Sequence, residues 1–462
     1  MNPRRLIALL PLVLAACAVG PAYQRPDVSV PAGYKEAEPG WQPAAPAEVD
    51  RGAWWTWFGD PLLNDLADQV AVSNQNIAAA VANYAQAQAL VRVQRASLFP
   101  SVDLNAGATR AARVGGGVAN NAQLSLGASW EPDVWGRLSN SVDAATASAQ
   151  ATAADLASAR LAAQGELATN YFSLRAADAA LALLRTTVEG YERSQQIAQN
   201  RYAAGIATKS DVLQAQTQLA NARADTLGVQ NQRAQLEHAI ALLLGKAPAD
   251  FSLPAVADWK PQTAQVPLLL PSTLLQRRPD IAAFERDVAA ANAQIGIQRA
   301  AYFPSVQLSG AYGRSSSSVS NLFNASNTLW SLGLSVAQVL FDAGATKARV
   351  EGAEAARDVA IARYRQTVLA AFQSVEDQLS TSRTLAAQET LRREASAAAD
   401  DVERQVLNRY RAGQVSYTEV VIAQVSAFNA RRDLLQLQAN QQTTAVALIL
   451  ALGGGWQADS AN

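Results

Sequence analysis

The feature that most constrains the fold is an internal repeat. Three segments recur in the same order, at offsets of 204 or 208 residues: 95–102 at 299–306, 200–205 at 408–413, and 221–225 at 429–433. A shared order with so little drift predicts a duplicated unit rather than chance similarity in an Ala-rich sequence. Each copy is expected to run helix, strand pair, long helix and returning helix.

Each copy contains two short stretches in which apolar residues alternate with small polar ones, and these are 102–109, 122–130, 306–313 and 330–336. Alternation with a period of two predicts half-buried strands, and their length suits a tilted membrane strand. The segments 110–121 and 314–328 are rich in Gly, Asn and Ser, so they are expected to be exposed loops.

Four strands are too few to enclose a lumen, because the smallest outer-membrane barrels need about eight. An open sheet edge in lipid would leave backbone N–H and C=O groups unpaired, at several kcal/mol each. Either several protomers pool their strands in one barrel, or the strands form a soluble sandwich. The apolar faces and the lipidation signal at the N-terminus favour pooling.

The remainder of each copy predicts long helices. Residues 139–202 contain no Pro and only two glycines, and the apolar residues Leu167, Leu174, Leu181 and Val188 recur every seven positions. Apolar residues in the second copy, from Ile361 to Leu379, step by three or four. These are coiled-coil spacings, and they predict two long antiparallel hairpins that turn near Gly205 and Gly413.

The N-terminus predicts a lipid anchor. Two arginines precede a short apolar stretch at 6–14, which ends in Leu-Ala-Ala-Cys17. This resembles a bacterial lipobox, whose Cys becomes the acylated first residue; the alternative is an ordinary signal peptide with an incidental Cys. By resemblance to the sorting signals of such lipoproteins, Ala18 rather than Asp after that Cys favours the outer membrane.

Composition excludes several function classes. With one Cys and one His, the chain cannot form an internal disulfide or a multi-Cys or multi-His metal site. A formal net charge of −1 gives no reason to expect nucleic acid as a partner. No nucleophile, P-loop or dinucleotide-binding motif is recognisable. The prediction is therefore a non-enzyme without a cofactor, apart from the covalent lipid on Cys17.

Several short motifs stand out. They are CAVGPAYQRP at 17–26, WWTWFGDP at 54–61, RRPDI at 277–281, FPSV at 99–102 and 303–306, and RYxxG at 201–205 and 409–413. Together they resemble the outer-membrane efflux family typified by TolC, in its lipoprotein branch (OprM- and NodT-like), which serves tripartite RND-type efflux systems. The resemblance runs from Cys17 to about Gly455.

That resemblance implies a mainly α fold with a small membrane β part: long antiparallel coiled-coil hairpins plus four β-strands per protomer. A homotrimer would form a twelve-stranded β-barrel in the outer membrane, on an α-helical barrel that extends into the periplasm. The implied function is a passive exit duct for multidrug or small-molecule efflux. Its implied partners are a periplasmic adaptor (membrane fusion) protein and an inner-membrane RND-type pump.

The expected division of the chain follows from these features. It is a lipoprotein signal peptide at 1–17, an extended N-terminal segment at 18–60, a first repeat at 61–247, a Pro-rich connector at 248–271, a second repeat at 272–453 and a C-terminal tail at 454–462.

The turns between the long helices carry the candidate site. Asp211 and Glu419 each lie six residues after a turn glycine, Gly205 or Gly413. The resemblance implies that the second-copy residue lies at the periplasmic entrance, where carboxylates favour cations. The alternative is helix capping, since Thr208 and Ser416 each precede the carboxylate by three residues. Both roles can coexist.

Four residues precede these turns, namely Arg201, Tyr202, Arg409 and Tyr410. By resemblance they hold the periplasmic tips closed and receive the adaptor; the alternative is that the cations only complement the helix dipole. Trp130 and Trp330 lie at or near strand ends and are expected in the interfacial aromatic girdle.

Three other functions remain to be weighed. A lipid-anchored periplasmic coiled-coil scaffold would lack channel activity, and an envelope hydrolase would need a catalytic set that the sequence does not show. A metal-export or type I secretion duct would share the architecture. One Met, one His and one processed Cys argue against soft-metal ligation in its lumen.

Overall fold

The computed structural model describes residues 19–37, 53–112, 114–261, 264, 266 and 277–456. The first half contains helices α1 (Pro61–Ser73) and α2 (Gln75–Ala96), strands β1 (Ser101–Ala112) and β2 (Val118–Trp130), and helices α3 (Arg137–Ala203) and α4 (Lys209–Leu243). The second half contains α5 (Pro279–Ala300), β3 (Ser305–Ser316), β4 (Thr328–Ala337), α6 (Ala345–Arg411) and α7 (Tyr417–Ala451).

The helices match in pairs between the two halves. Helices α2 and α5 have 22 residues each, α3 and α6 have 67, and α4 and α7 have 35. From α2 onward, the order of elements in the first half is the same as in the second half from α5 onward. Mostly helical structure with four strands per chain is the fold class that the sequence predicts, and it is confirmed.

Two compact units share the chain. One takes the described residues up to Val28 together with Ala82–Ala154 and Ile281–Thr367, and it contains the sheet. The other takes Ser29–Val81, Asp155–Asp280 and the described residues from Val368 onward, and it contains both turns between the long helices.

The four strands form one antiparallel sheet in the order β1-β2-β3-β4. The register places Leu104 opposite Leu126, Leu126 opposite Tyr312, and Tyr312 opposite Trp330. Residues that face each other across a ladder lie on the same face of the sheet, so the alternating apolar residues of all four strands share one face. We call this the apolar face.

The apolar face is open to its surroundings in the isolated chain. Leu332 at 79% and Trp330 at 77% are among its most exposed side chains. The first and last strands, β1 and β4, each have one edge that no described strand pairs with. Such an edge presents a row of unpaired N–H and C=O groups, and an exposed apolar face beside it marks a surface that is covered in the working assembly.

The strands are longer than the alternation predicts. The segments 110–121 and 314–328 were expected to be loops, but β1 continues to Ala112, β2 starts at Val118 and β3 runs to Ser316. The expectation was wrong because ladder hydrogen bonds come from the backbone. Polar residues such as Asn120 and Asn121 therefore pair with β1 as readily as apolar ones.

The predicted helical seam is largely buried. Leu167 and Leu174 are fully enclosed, and Tyr171, Leu184 and Tyr191 continue the buried line along α3. Small residues allow the helices to approach closely: a Cβ built on Gly165 of α3 would overlap the side chain of Leu450 in α7. Close approach of this kind explains why the chain is rich in small residues rather than in bulky ones.

No helix in the described ranges carries an apolar stretch of the length and purity that a bilayer crossing requires.

A buried ionic cluster holds the segment after α4 against α3 and α4. Asp178 of α3 accepts from Arg175 at 2.8 Å and from Arg233 of α4 at 2.6 Å, and its side chain is fully buried. The same arginines donate to the carbonyls of Pro254 and Leu253 at 2.8 and 2.7 Å. Removing one partner of such a cluster leaves uncompensated buried charge.

Replacing Asp178 with alanine is therefore expected to destabilise the folded protein strongly. The buried guanidinium of Arg175 and the partly buried one of Arg233 would lose their shared carboxylate, at a cost of about 3–5 kcal/mol. The shift in the denaturation midpoint of the detergent-solubilised protein measures this. Arg193→Ala, at an exposed position of α3, is the control and should stay within about 0.5 kcal/mol of wild type. Equal midpoints for both variants would contradict a structural role for the cluster.

Candidate functional site

The first turn, residues 204–208, joins α3 to α4. Gly205 adopts a left-handed conformation with φ of 71°, and the N–H groups of Ile206 and Ala207 both donate to the carbonyl of Arg201. Helices commonly end in this way, with glycine because it has no Cβ to oppose a positive φ. Thr208 then caps α4, where its hydroxyl donates to the Asp211 carboxylate at 3.0 Å and accepts from the Asp211 N–H at 3.3 Å.

The second turn, residues 412–416, repeats this geometry. Gly413 has a φ of 78°, and the N–H of Gln414 donates to the carbonyl of Arg409 at 2.9 Å. Glu419 accepts from the backbone N–H of Ser416 at 3.4 Å, which completes a capping box at the start of α7. Asp211 has a shorter side chain and bonds the hydroxyl of its cap residue instead. Capping is thus present at both turns, and a role for either carboxylate at an entrance stays a prediction.

Arg201 links the two turns. It belongs to α3, but its guanidinium donates to the backbone carbonyls of Tyr410 at 3.0 Å and Arg411 at 3.3 Å, at the end of α6. It also stacks over the Tyr410 ring, 4.9 Å from the ring centre. A cation among the last carbonyls of a helix satisfies unpaired acceptors and opposes the negative end of the helix dipole. We call this set of contacts the Arg201 clasp.

A tyrosine pair underlies the clasp. Tyr410 and Tyr417 are both buried, with their rings 5.3 Å apart in an edge-on arrangement, and they pack against Ala198, Ala215 and Val420. Burial raises the pKa of both phenols, and the Asp211 carboxylate adds to the effect on each. The pair therefore stays neutral well above physiological pH and acts as a rigid apolar support for the turns.

The duplicated motif does not make duplicated contacts. Tyr410 is buried whereas Tyr202, its counterpart in the first copy, is 48% exposed. Arg201 is half-buried in the clasp, whereas Arg409 and Glu419 are exposed. Identical RYxxG motifs gave no sign of this difference. The one signal was the residue after each cap, which is a buried Tyr417 in the second copy and an exposed Lys209 in the first.

Both predicted girdle aromatics lie on the apolar face. Trp130 ends β2, and its indole N–H donates to the carbonyl of Leu98 at 3.0 Å. Trp330 lies near the start of β4, opposite Tyr312. An indole with an apolar body and one polar donor suits the boundary between an apolar layer and water. Cys17, the predicted lipidation site, lies outside the described residues.

This combination of duplicated hairpins, a four-stranded open sheet and glycine turns matches a known family. The sequence pattern of the family described as "Outer membrane efflux protein" matches residues 66–246 and again 270–454. The chain belongs to the outer membrane efflux protein family. The two matches fall on the two halves of the chain, whose long helices and strand pairs follow one another in the same order.

Members of this family resemble the chain over almost its full length. The probable efflux pump outer membrane protein TtgC of Pseudomonas putida is 32% identical over 461 residues, covering 97% of this chain and 95% of that protein. The cation efflux system protein CusC of Escherichia coli O6:H1 is 30% identical, covering 99% and 100%. The solved outer-membrane channel OprN has a TM-score of 0.88 at 30% identity, covering 96% and 100%.

The Arg201 clasp makes the second turn depend on the first hairpin. Arg201→Gln removes charge-assisted hydrogen bonds worth about 1.5–3 kcal/mol, so local opening at residues 408–416 should become roughly tenfold more frequent or greater. Hydrogen–deuterium exchange of the native assembly measures this. Arg193→Gln serves as the charge-matched control, and an exchange rate in the second turn that does not differ between the two variants would refute the clasp.

Proposed function

We propose that this protein is the outer-membrane exit duct of a tripartite small-molecule efflux system, formed by three copies of the chain. The observation that carries the proposal is the sheet: four strands with an exposed apolar face and two unpaired edges. Membership of the outer membrane efflux protein family supports it. The protein acts as a passive conduit and not as an enzyme.

Sharing one barrel among several chains accounts for both the unpaired strand edges and the exposed apolar face. When β1 of one copy pairs with β4 of the next, every edge N–H and C=O group finds a partner, as a lipid environment demands. Three copies with four strands each give a closed barrel large enough for a lumen. The apolar face then meets lipid, while the opposite face, rich in Ser, Gly, Gln and Asn, lines the interior.

In the proposed duct, the turns between the long helices form the narrow point that restricts flow. Within one chain, the Arg201 clasp holds the two hairpins together at their turns. The exposed residues Tyr202, Arg409 and Glu419 remain to contact the adjacent copy and the tips of a periplasmic adaptor. Opening then requires the hairpins to separate at these contacts, and the adaptor and an inner-membrane RND-type pump supply the binding free energy and the transport energy for it.

The cargo class we propose is organic small molecules, including drugs. Relatives differ here, since the names of TtgC and CusC refer to an efflux pump and to cation efflux, at nearly equal identity. One Met and one His in the whole chain offer few soft ligands to a metal in transit. Selection among cargoes therefore lies mainly with the pump.

The first experiment is single-channel recording in planar bilayers, with the oligomer mass measured on the same sample. A trimer with small, cation-selective conductance steps is the expected result. Arg409→Ala and Glu419→Gln should each raise the conductance, because each removes a charged group that, in the proposed closed state, holds the turns against the adjacent chain, and Arg193→Ala should leave it unchanged.

Each alternative outcome has a clear meaning. A monomer without conductance would overturn the duct and favour a periplasmic scaffold. A conducting trimer whose steps are the same in all three variants would keep the duct but remove Arg409 and Glu419 from its closed state.

A lipid on Cys17 completes the proposed placement in the outer membrane. Several acyl chains give a stable anchor, which would hold each copy at the membrane independently of the sheet. Cells that express the protein should incorporate labelled palmitate into it, and Cys17→Ser should abolish the label. Label retained in that variant would place acylation elsewhere or refute it.

A further inference from the structure

Two arginines interrupt an otherwise uncharged apolar face. Among the residues of the four strands, the apolar face carries Arg110 of β1 and Arg314 of β3 and no other charged side chain. Arg110 pairs with Asn120 and Arg314 with Leu124, in the same register that places Leu104 opposite Leu126.

The arginines occupy equivalent positions in the two halves. They are 204 residues apart, the offset that relates the two FPSV segments before these strands. Each is the third residue from the end of its strand, since β1 ends at Ala112 and β3 at Ser316. The same residue at the same repeat position twice, where polar alternatives abound, points to a shared role.

Both arginines lie near the end of the sheet at which the hairpin connections 114–117 and 317–327 join the strands. At the other end of the strands, the chain enters α3 and α6. Next to Arg314 along the same face are Tyr312 and, across the ladder, Trp330, which are 59% and 77% exposed. Aromatic side chains followed by cations are the order expected from an apolar layer to a lipid headgroup layer.

Within the four strands and the connections between them, no carboxylate shares a face with these cations. Residues 104–130 and 304–341 contain no Asp or Glu, and Asp103 lies on the opposite face. Arg314 donates one N–H to the carbonyl of Phe323, which orients the guanidinium and leaves further donors available, and Arg110 is exposed. A guanidinium fork pairs with phosphate through two parallel hydrogen bonds, so phosphate is the group that these two arginines are suited to bind.

We propose that Arg110 and Arg314 form a binding site for the phosphate groups of anionic lipid in the outer leaflet of the membrane. The inference rests on the proposed function, because it requires the apolar face to meet lipid. In a trimer the arginines form a ring around the outside of the barrel, near the end that carries the hairpin connections. This ring fixes the depth of the barrel and selects phosphorylated lipids as its neighbours.

The test uses the full-length trimer reconstituted in phosphatidylcholine vesicles with a small fraction of fluorescent, bisphosphorylated lipid A. Enrichment of the labelled lipid around the protein is compared for wild type, the double variant Arg110→Gln/Arg314→Gln, and the control Arg160→Gln/Arg363→Gln, which removes two exposed helix arginines. Dephosphorylated lipid A and competition by inorganic phosphate identify what the site recognises.

Wild type and control should enrich lipid A, and the double variant should lose roughly tenfold of that enrichment. The double variant should keep wild-type conductance in phosphatidylcholine bilayers, because its changes are far in sequence from both turns. Equal enrichment of the dephosphorylated lipid, or full enrichment by the double variant, overturns the site. Displacement of lipid A by millimolar inorganic phosphate would assign it to free phosphate instead. A wild-type protein that neither inserts nor conducts refutes the proposed function itself.

Discussion

The constraint on which the rest of the molecule depends is the pairing of backbone groups at the two outer strands. Within the part of the chain that the structure describes, one edge of β1 and one edge of β4 have no partner strand, next to an exposed apolar face. Unpaired edge groups are costly in lipid, and an exposed apolar face is costly in water. Other copies of the chain can pair with the edges, and lipid can cover the apolar face. In the proposed duct, assembly with other chains is therefore what completes the hydrogen bonding of the sheet.

The turns show how a duplicated sequence acquires unequal roles. Both sequence repeats carry the same Arg-Tyr pair. Only Arg201 contacts the neighbouring hairpin, and only Tyr410 is buried beneath that contact. Their counterparts are left on the surface. One motif thus provides an internal contact in one repeat and exposed groups in the other, and the proposed ring of hairpins would use those exposed groups, because each hairpin in it has two different neighbours.

Much of this architecture can be predicted from the sequence, because the spacing of apolar residues follows the side of a strand or helix that is buried. The alternation around Trp330 located β4, and the heptad from Leu167 to Val188 located the seam of α3. Strand ends were missed because Asn120 and Asn121 pair through backbone groups to which side-chain polarity is irrelevant. The clasp was missed for another reason: two identical motifs cannot reveal which copy packs against the other. That depends on the residues beneath, above all Tyr417.

The matched lengths of α3 and α6 restrict how the protein can change. Arg201 meets Tyr410 only because each lies near the end of a helix of 67 residues. A single residue inserted into one of these helices would rotate everything beyond it by about 100° and shift it by about 1.5 Å, which separates the two groups. Insertions and deletions must therefore arise in both halves together. The length of such a duct can therefore change only when α3 and α6 change together. A hybrid of halves from two relatives would work only when their helix lengths agree.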